Sequence, residues 1–323
     1  MEIYQKLQEK LGDLLRENVE LKQYSTFKLG GPAKYFFIAK TREEIIKAAQ
    51  AARELSLPFF ILGGGSNILI SDQGFGGLVI KAENRGVEVR KNIIRAEAGA
   101  SLRQVVTQAM ENGLSGLEWA SGIPGTVGGA VRGNCGAYGD ETAGIIRKVD
   151  VFNIETGRVK NFSPEACQFS YRESIFKKGQ NFIILGAEFE LKPGNKEEIK
   201  NKMLEYKEAR TSSQPKFPSL GCNFKNIIAT DEIKEKVMKV NPDGLGKIKG
   251  GKIGAAWFID QTDLKGYQIG GAKVSDEHAN FIIKCSEEGK ADDVAQLISY
   301  IKQQVRDKFG IQLQEELQYV GFN

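Results

Sequence analysis

Apolar residues recur with a helical period in several stretches of the chain. Residues 42–56 carry one apolar stripe directly after Thr41, a residue type that can cap a helix. A longer stripe occupies residues 290–309 and is followed by Gly310, a typical helix end. Ser101 offers a capping box, with Gln104, to a third helix. The predicted helices cover residues 3–16, 42–56, 101–112, 196–210 and 290–309.

Short apolar or alternating runs between these helices predict strands. They cover residues 33–38, 59–62, 68–70, 86–97, 148–154, 158–162, 182–190 and 311–321. The last run has Glu316 on its polar face, so periodicity alone predicts a solvent-exposed glutamate. His278 lies in a strand-like run, V-S-D-E-H-A-N-F. Helix, buried strand and glycine loop follow one another near the start, which is the alternation of an α/β-type lobe that ends near residue 82.

Two glycine-rich stretches interrupt this pattern. Residues 119–140 contain seven glycines, a density that disfavours both helix and strand, so a loop is predicted. Residues 63–65 are three glycines between two apolar runs, and Ser66 and Asn67 follow them. Such loops can bring backbone N–H groups against a phosphate-bearing ligand, although a series of tight surface turns would have the same composition. Together the two stretches predict two walls of one cofactor cleft.

Composition narrows the class of protein. The 323 residues are enough for two or three domains, and 45 basic against 41 acidic residues give a net charge of +4, too mixed to indicate nucleic-acid binding. No apolar run has the length of a membrane span, and the first residues lack the pattern of a signal peptide, so a cytoplasmic protein is expected. Four widely spaced cysteines and one histidine indicate neither a disulfide framework nor a metal site.

Several motifs resemble one enzyme family. F-I-L-G-G-G-S-N (60–67), G-I-P-G-T-V-G-G-A (122–130) and N-C-G-A-Y-G (134–139) look like the flavin-binding loops of UDP-N-acetylenolpyruvoylglucosamine reductases. The first loop alone would indicate only the wider class of p-cresol-methylhydroxylase-type FAD domains. The resemblance runs from about Tyr24 to Gly321 and includes the later segments 169–174, 218–226 and 255–275.

The resemblance implies an α+β fold with α/β-type lobes. A two-lobed p-cresol-methylhydroxylase-type FAD-binding domain is expected, followed by a C-terminal substrate-binding α+β domain. The first FAD-binding lobe is expected at residues 1–82, with strand 317–323 returning to it, and the second at 83–210. The substrate-binding domain is expected at 211–316.

The resemblance also implies a set of ligand contacts. The cofactor-binding residues that it implies are Thr26, Leu62, Gly63, Gly64, Gly65, Ser66, Asn67, Gly122, Pro124, Gly125, Thr126, Gly128, Gly129, Gly136 and Ala137. The substrate-binding residues that it implies are Tyr171, Arg210, Gln214 and Asn226. No metal, nucleic acid, membrane insertion or obligate protein partner is implied.

Three residues match the catalytic positions of the family. Arg172, in Tyr-Arg-x-Ser, matches the arginine that contacts the enolpyruvyl carboxylate, although composition alone would make it a solvated arginine in a surface turn. Cys222 stands where the family has the serine that donates a proton to the substrate carbon. A thiol can take that role because it is a better acid than a hydroxyl, although from the sequence alone a small buried apolar cysteine is favoured. Glu316 matches the catalytic glutamate, and Gln318 departs from a frequent arginine.

The implied activity is an NADPH-dependent reduction carried by non-covalent FAD. UDP-N-acetylglucosamine enolpyruvate would be reduced to UDP-N-acetylmuramate for peptidoglycan synthesis. Two alternatives remain open: a flavoprotein oxidase of the same FAD class that acts on an alcohol or sugar, and a non-catalytic flavin or nucleotide sensor. The lysine-rich segment 227–253 is either a helix with a flexible loop or a mobile flap over the substrate diphosphate.

Overall fold

The computed structural model of the chain describes residues 3–179 and 181–322, which form two compact units. The first unit contains the described residues up to Val19 together with Ala33–Gly65 and Phe75–Arg210. The second unit contains Glu20–Pro32, Ser66–Gly74 and the described residues from Thr211 onward. Each unit is therefore assembled from segments that are distant in sequence.

Helices and strands alternate along most of the described chain. The α-helices are α1 (Ile3–Leu11), α2 (Arg42–Glu54), α3 (Leu102–Glu111), α4 (Val127–Gly133), α5 (Lys196–Ser213), α6 (Asp231–Val240), α7 (Ala255–Asp260) and α8 (Ala291–Phe309). The strands are β1 (Leu15–Glu20), β2 (Pro32–Ala39), β3 (Phe59–Leu62), β4 (Ile68–Ile70), β5 (Phe75–Ala82), β6 (Val87–Arg90), β7 (Ile93–Glu97), β8 (Leu114–Ser115), β9 (Gly136–Ala137), β10 (Asp140–Glu141), β11 (Ile146–Asn153), β12 (Arg158–Phe162), β13 (Phe182–Glu190), β14 (Lys192–Pro193), β15 (Ser219–Cys222), β16 (Ile227–Ile228), β17 (Lys252–Ile253), β18 (Gln268–Ile269), β19 (Ala272–Val274), β20 (Phe281–Lys284) and β21 (Gln318–Val320).

The first unit contains two main sheets. The first sheet has the strand order β1-β2-β5-β3, in which β5 is parallel to both β2 and β3. Its core includes Leu7 of α1, Ile45 of α2 and Ile80 of β5, all fully buried. The second sheet is antiparallel, with the order β12-β11-β13-β7-β6, and shares a core with α3 and α4 through Val105 and Val131. The sheets thus provide two separate cores within one unit.

The second unit has its own core around α8. Its main sheet has the order β15-β20-β19-β18, and the apolar side of α8, including Leu297 and Ile301, is fully buried in the same cluster. As predicted, α8 ends at Gly310, whose φ of 64° is unstrained in glycine. Strand β21 pairs in parallel with β4, so the end of the chain returns to residues 68–70.

The structure confirms most predicted elements and corrects several. Helix α2 begins after Thr41 with the full reciprocal capping box to Glu44, and the β11–β12 hairpin forms around residues 155–157. The predicted helix over 3–16 is wrong beyond Leu11, because Gly12 has a φ of 76° and the chain continues into β1. The single strand predicted over 86–97 is two strands, β6 and β7, with Lys91 at a φ of 56° between them.

Three further corrections concern the functional stretches. The loop predicted over 119–140 contains a two-turn helix, α4. The strand predicted over 311–321 is a strand only at β21. The strand-like run around His278 is a turn between β19 and β20. Within residues 3–179 and 181–322, no helix has the length and apolar character needed to cross a bilayer, and no group of three potential metal ligands occurs.

Candidate active site

The two glycine-rich stretches meet in the first unit. A Cβ atom added to Gly64 would lie 2.7 Å from the Cα atom of Gly125, and one added to Gly63 would lie 2.6 Å from Oγ1 of Thr126. Neither approach leaves room for a methyl group. The glycines at 63 and 64 are therefore required by the close packing of one stretch on the other.

Helix α4 in the second stretch is held from its N-terminal end. Thr126 caps it, and the N–H groups of Val127 and Gly128 donate to the carbonyl groups of Ala100 and Ala98, both at 2.9 Å. A Cβ atom at Gly128 would lie 3.1 Å from that of Ala98. The N–H groups of residues 127 and 128 are therefore used within the protein, and the cofactor contacts implied for this stretch stay a prediction.

A cavity of about 170 Å³ lies against both stretches. Its wall includes Gly63, Thr126, Gly128 and Gly129, and apolar side chains such as Phe60 and Phe182 complete it. Pockets for complete drug-sized ligands measure about 300–1,000 Å³. The glycine walls and the apolar lining fit one part of an FAD molecule, and these residues would hold it.

Two cations lie close to this cavity. Arg132, in its wall, is half-buried, and this burial lowers the pKa of its guanidinium. Lys81 donates from Nζ to the carbonyl oxygen of Gly63 at 2.8 Å, and burial likewise lowers the pKa of its amine. Lys81 thereby fixes one carbonyl group of the first glycine stretch.

Arg172 lies in a tight turn of the first unit. Ser170 and Glu173 exchange backbone hydrogen bonds of 3.1 and 2.9 Å, and Arg172 between them has a φ of 58°. Its guanidinium donates to the carbonyl oxygens of Gly136 at 2.5 Å and Asn134 at 3.4 Å. A positive φ costs a non-glycine residue on the order of 1–2 kcal/mol. The interpretation of Arg172 as a solvated surface arginine is wrong, because the side chain is half-buried and anchored.

Two side chains that lie within the quoted motifs but were assigned no role of their own fix this turn. Asn134 is fully buried, donates from Nδ2 to the carbonyl oxygen of Ser170 at 3.0 Å and accepts the N–H of Ala143 at Oδ1. Ser174 donates from Oγ to the carbonyl oxygen of Arg132 at 2.7 Å. Both bonds join the turn to the end of α4, and only the three-dimensional structure brings these segments together.

The predicted substrate residues of the first unit, Tyr171 and Arg210, each take part in a contact between a guanidinium group and an aromatic ring. The guanidinium of Arg172 lies 5.2 Å from the ring centre of Tyr171. That of Arg210 lies 5.2 Å from the ring centre of Tyr138, which stacks on Tyr206 at 4.3 Å. Tyr138 is about half exposed, has a φ of 56° and was not predicted. Among the remaining predicted cofactor residues of this unit, Gly122 packs against Arg210, and Gly136 and Ala137 form β9. The other predicted cofactor residues in the first unit are Leu62, Gly65 and Pro124.

Cys222 and Glu316 lie on adjoining segments of the second unit. Gly221, at a φ of 79°, turns the chain into Cys222, which pairs with Phe281 of β20. The next residue, Asn223, accepts the N–H of Glu316 at its carbonyl oxygen, at 2.8 Å. Cys222 is half-buried, so the interpretation as a fully buried apolar cysteine is wrong.

Glu316 is held through both of its peptide groups. Its N–H bonds Asn223, and its carbonyl oxygen accepts Nδ2 of Asn67 at 3.1 Å. Asn67 also accepts the N–H of Gln318 at 3.1 Å, so this predicted cofactor residue anchors the Glu316 segment. The alternating pattern predicted an exposed Glu316, which is wrong because residues 314–316 lie alongside residues 223–225 and the glutamate is half-buried.

Two of the remaining predicted residues of the second unit bond backbone groups of other segments. Thr26 donates from Oγ1 to the carbonyl oxygen of Ser219 at 2.8 Å. Oδ1 of Asn226 accepts the N–H of Ala255, at the start of α7, at 3.3 Å. Ser66 and Gln214 are half-buried. The lysine-rich segment forms α6 and a short 3-10 helix, Pro242–Lys247, and the flap motion stays a prediction.

Comparisons with known proteins extend over both units. Residues 214–320 match the family described as UDP-N-acetylenolpyruvoylglucosamine reductase, C-terminal domain, and residues 33–163 match an FAD binding domain. The reductase of Caldanaerobacter subterraneus subsp. tengcongensis is 40% identical, and the match covers 98% of both chains. That of Solibacter usitatus is 38% identical over 93% of this chain and 95% of its own.

A solved structure supports the same relationship. The crystal structure of the Thermus caldophilus UDP-N-acetylenolpyruvylglucosamine reductase superimposes with a TM-score of 0.75 at 33% identity, over 95% of this chain and 99% of that one. The predicted α+β fold with its FAD-binding domain is confirmed. The chain belongs to the UDP-N-acetylenolpyruvoylglucosamine reductase family of FAD-dependent oxidoreductases.

Proposed function

We propose that the protein reduces UDP-N-acetylglucosamine enolpyruvate to UDP-N-acetylmuramate in peptidoglycan precursor synthesis, with NADPH as the source of reducing equivalents. The observation that carries the proposal is the extent of the match, 98% of this chain and 98% of a relative named as the reductase. Both the flavin-binding and the C-terminal parts are therefore present in one chain. A cytoplasmic location is part of the same proposal.

Arg172 is the residue that we assign to the enolpyruvyl carboxylate. FAD, when bound, supplies a hydride to C3 of the substrate, which builds negative charge on C2 and its carboxylate. A guanidinium keeps its charge at all relevant pH values and matches a carboxylate with a planar fork of N–H groups. The bonds of Arg172 to Gly136 and Asn134 hold it in one orientation before substrate arrives, as electrostatic stabilisation requires.

Cys222 is the residue that we assign to protonation of C2. Its Sγ–H bond breaks, the proton forms the new C2–H bond, and the thiolate that remains is reprotonated from water. Half-burial leaves Cys222 accessible for that last step. Glu316, whose backbone is tied to the residue after Cys222, stabilises the developing charge through a hydrogen bond or orients the donor.

The experiment that tests the proposal is anaerobic mixing of the purified protein, followed through the visible absorbance of its flavin. NADPH should bleach the flavin, and UDP-N-acetylglucosamine enolpyruvate should restore the absorbance. Restoration by oxygen alone would identify an oxidase. A protein that binds flavin but reacts with neither compound would be a sensor, and a protein without flavin would contradict the proposal altogether.

A further inference from the structure

Asn280, which the sequence did not single out, borders the segment that carries Cys222. It is only 2% exposed and directly precedes Phe281, the strand partner of Cys222. Its side chain bonds both backbone groups of Phe224: Oδ1 accepts the N–H at 3.0 Å, and Nδ2 donates to the carbonyl oxygen at 2.9 Å. One amide side chain thus makes the two bonds that a neighbouring strand would otherwise make.

The backbone of Asn280 extends this contact by one residue toward Cys222. Its carbonyl oxygen accepts the N–H of Asn223 at 2.9 Å and Nδ2 of Asn223 at 3.1 Å. Four hydrogen bonds therefore join Asn280 to residues 223 and 224. Because both residues are fully buried, water cannot replace these bonds if they are lost.

The same two residues hold the Glu316 segment on their other side. The carbonyl oxygen of Asn223 accepts the N–H of Glu316 at 2.8 Å, and Phe224 forms a β-bridge with Glu315. Residues 223 and 224 are thus the link between Cys222 and Glu316, which are far apart in sequence. Asn280 supports this link from the side opposite to Glu316.

In Asn223, the backbone rather than the side chain forms the link between Cys222 and Glu316. Its Oδ1 atom is buried and has no hydrogen-bond partner among the described residues. The side chain of Asn223 bonds Asn280 only through Nδ2, whereas its backbone groups bond both Asn280 and Glu316.

We propose that Asn280 is a positioning residue that fixes the separation of Cys222 and Glu316 through the backbone of residues 223 and 224. The roles of Cys222 and Glu316 rest on the proposed function, but the hydrogen bonds do not. Loss of the Asn280 side chain should leave NADPH-dependent reduction of the flavin intact. It should slow the later oxidation of the reduced flavin by the enolpyruvyl substrate, because that step needs both Cys222 and Glu316 in position.

The test compares Asn280→Ala with two controls in the second unit. Asn241→Ala removes an amide that also bonds through both atoms, to Gln261 at 2.7 Å and to the N–H of Asp243 at 3.1 Å, on an unrelated segment. Asn223→Val removes the unpaired oxygen and the Nδ2 bond to the carbonyl oxygen of Asn280, but it keeps every bond between backbone groups. Asn280→Ser keeps a small neutral polar side chain that can bond at most one of the two backbone groups of Phe224, so it should give an intermediate effect and covers the case in which Asn280→Ala fails to fold.

Two measurements are made on each flavin-loaded variant. The first is the rate and pH midpoint of iodoacetamide alkylation of Cys222, in a background that carries Cys135→Ser and Cys285→Ser. The second is the rate of each half-reaction. For Asn280→Ala we expect an alkylation rate altered at least about threefold and substrate-driven flavin oxidation slower by about 10–100-fold, with flavin reduction within about twofold of the parent. Both controls should stay within about threefold throughout.

The outcomes separate this proposal from the proposed function. An unchanged alkylation profile in Asn280→Ala, or an equal loss in Asn241→Ala, would overturn the positioning role. A parent enzyme whose reduced flavin is not reoxidised by the substrate would instead contradict the proposed function. In that case the alkylation profile still decides whether Asn280 sets the geometry at Cys222.

Discussion

The Arg172 turn and the Cys222–Glu316 segment place their functional groups in different ways. In the turn, the guanidinium itself is anchored, through the carbonyl oxygens of Gly136 and Asn134, and the backbone of Arg172 adopts a strained φ. In the second segment, hydrogen bonds to Asn280 and Glu316 fix the backbone of the intervening residue Asn223. Asn67 fixes the backbone of Glu316. A buried asparagine supports each region: Asn134 in the first and Asn280 in the second.

This difference follows from what each group has to do. A residue that stabilises charge works best when it is already oriented, because reorganisation during the reaction would reduce the benefit. A residue that transfers a proton must give it up and recover it, so its backbone can be fixed while its reactive atom keeps access to water. The two regions therefore predict different responses to substitution.

The largest expected effect is at Cys222. Cys222→Ala should slow substrate-driven flavin oxidation by about 10²–10⁴, the usual contribution of a general acid, while Cys222→Ser should retain most of the rate. Alkylation should inactivate the parent and spare the serine variant. Cys167 does not compete, because burial, together with the nearby Glu165, raises the pKa of its thiol to about 12. Alkylation of Cys222 without loss of turnover would remove the thiol from the mechanism.

Arg172 should show the next largest effect. Arg172→Ala should lower turnover by about 10² while the flavin stays bound, as measured by absorbance after gel filtration. Arg172→Lys should also be impaired, by about tenfold or more, because a lysine lacks the planar fork that donates to Gly136 and Asn134 together. Full activity of the lysine variant would mean that the positive charge at residue 172 is sufficient and that its orientation is not needed. The proposed difference between the Arg172 turn and the Cys222–Glu316 segment would then not hold.

How much the sequence could predict depends on where the stabilising partners lie. The boundaries of α2 and α8 were predictable because Thr41, Glu44 and Gly310 act within one turn of the helix that they cap. Helix α4 was missed because its first N–H groups bond residues 98 and 100 and its glycines allow that approach. Distant partners leave no local pattern.

The candidate site divides in the same way. Arg172, Cys222 and Glu316 could be named from motifs, yet neither the anchoring of the guanidinium nor the half-burial of Glu316 could be derived from them. Asn134 and Asn280 are separated from the backbone groups that they bond by 36 and 56 positions. Only a folded chain reveals that a buried asparagine satisfies such distant groups.

Asn134 provides a test of stability rather than rate. Its φ of 42° is left-handed, and its side chain bonds Ser170 and Ala143. Asn134→Ala should lower the free energy of unfolding by roughly 2–4 kcal/mol, because it removes both side-chain bonds, leaves the half-buried N–H of Ala143 without this partner and strains the backbone. Asn134→Gly tolerates the same φ and should lose about 1 kcal/mol less. Urea unfolding measures both, and equal losses would exclude a contribution from backbone strain.

The smallest effect concerns pH and the second region. Nδ1 of His278 accepts the N–H of Asn280 at 3.2 Å, which requires an unprotonated Nδ1. Burial lowers the pKa of His278 below its usual value of 6.5, with a smaller contribution from Lys265. The unfolded chain therefore binds this proton more readily than the folded protein. The associated stability is complete above about pH 6.5 and is lost as the pH falls toward the folded pKa.

His278→Asn isolates this effect, because its amide oxygen can accept the same N–H at every pH. Between pH 7 and 5, the unfolding temperature of the parent should fall more than that of the variant. The corresponding difference in the free energy of unfolding is at most about 1.4 kcal/mol per pH unit for one proton. Parallel pH profiles would show that the pKa of His278 is the same in the folded and the unfolded chain, which would contradict this prediction. A larger decline in the parent, together with a pH profile of Cys222 alkylation that differs between the parent and His278→Asn over the same interval, would mean that protonation of His278 reaches the proposed proton donor through Asn280.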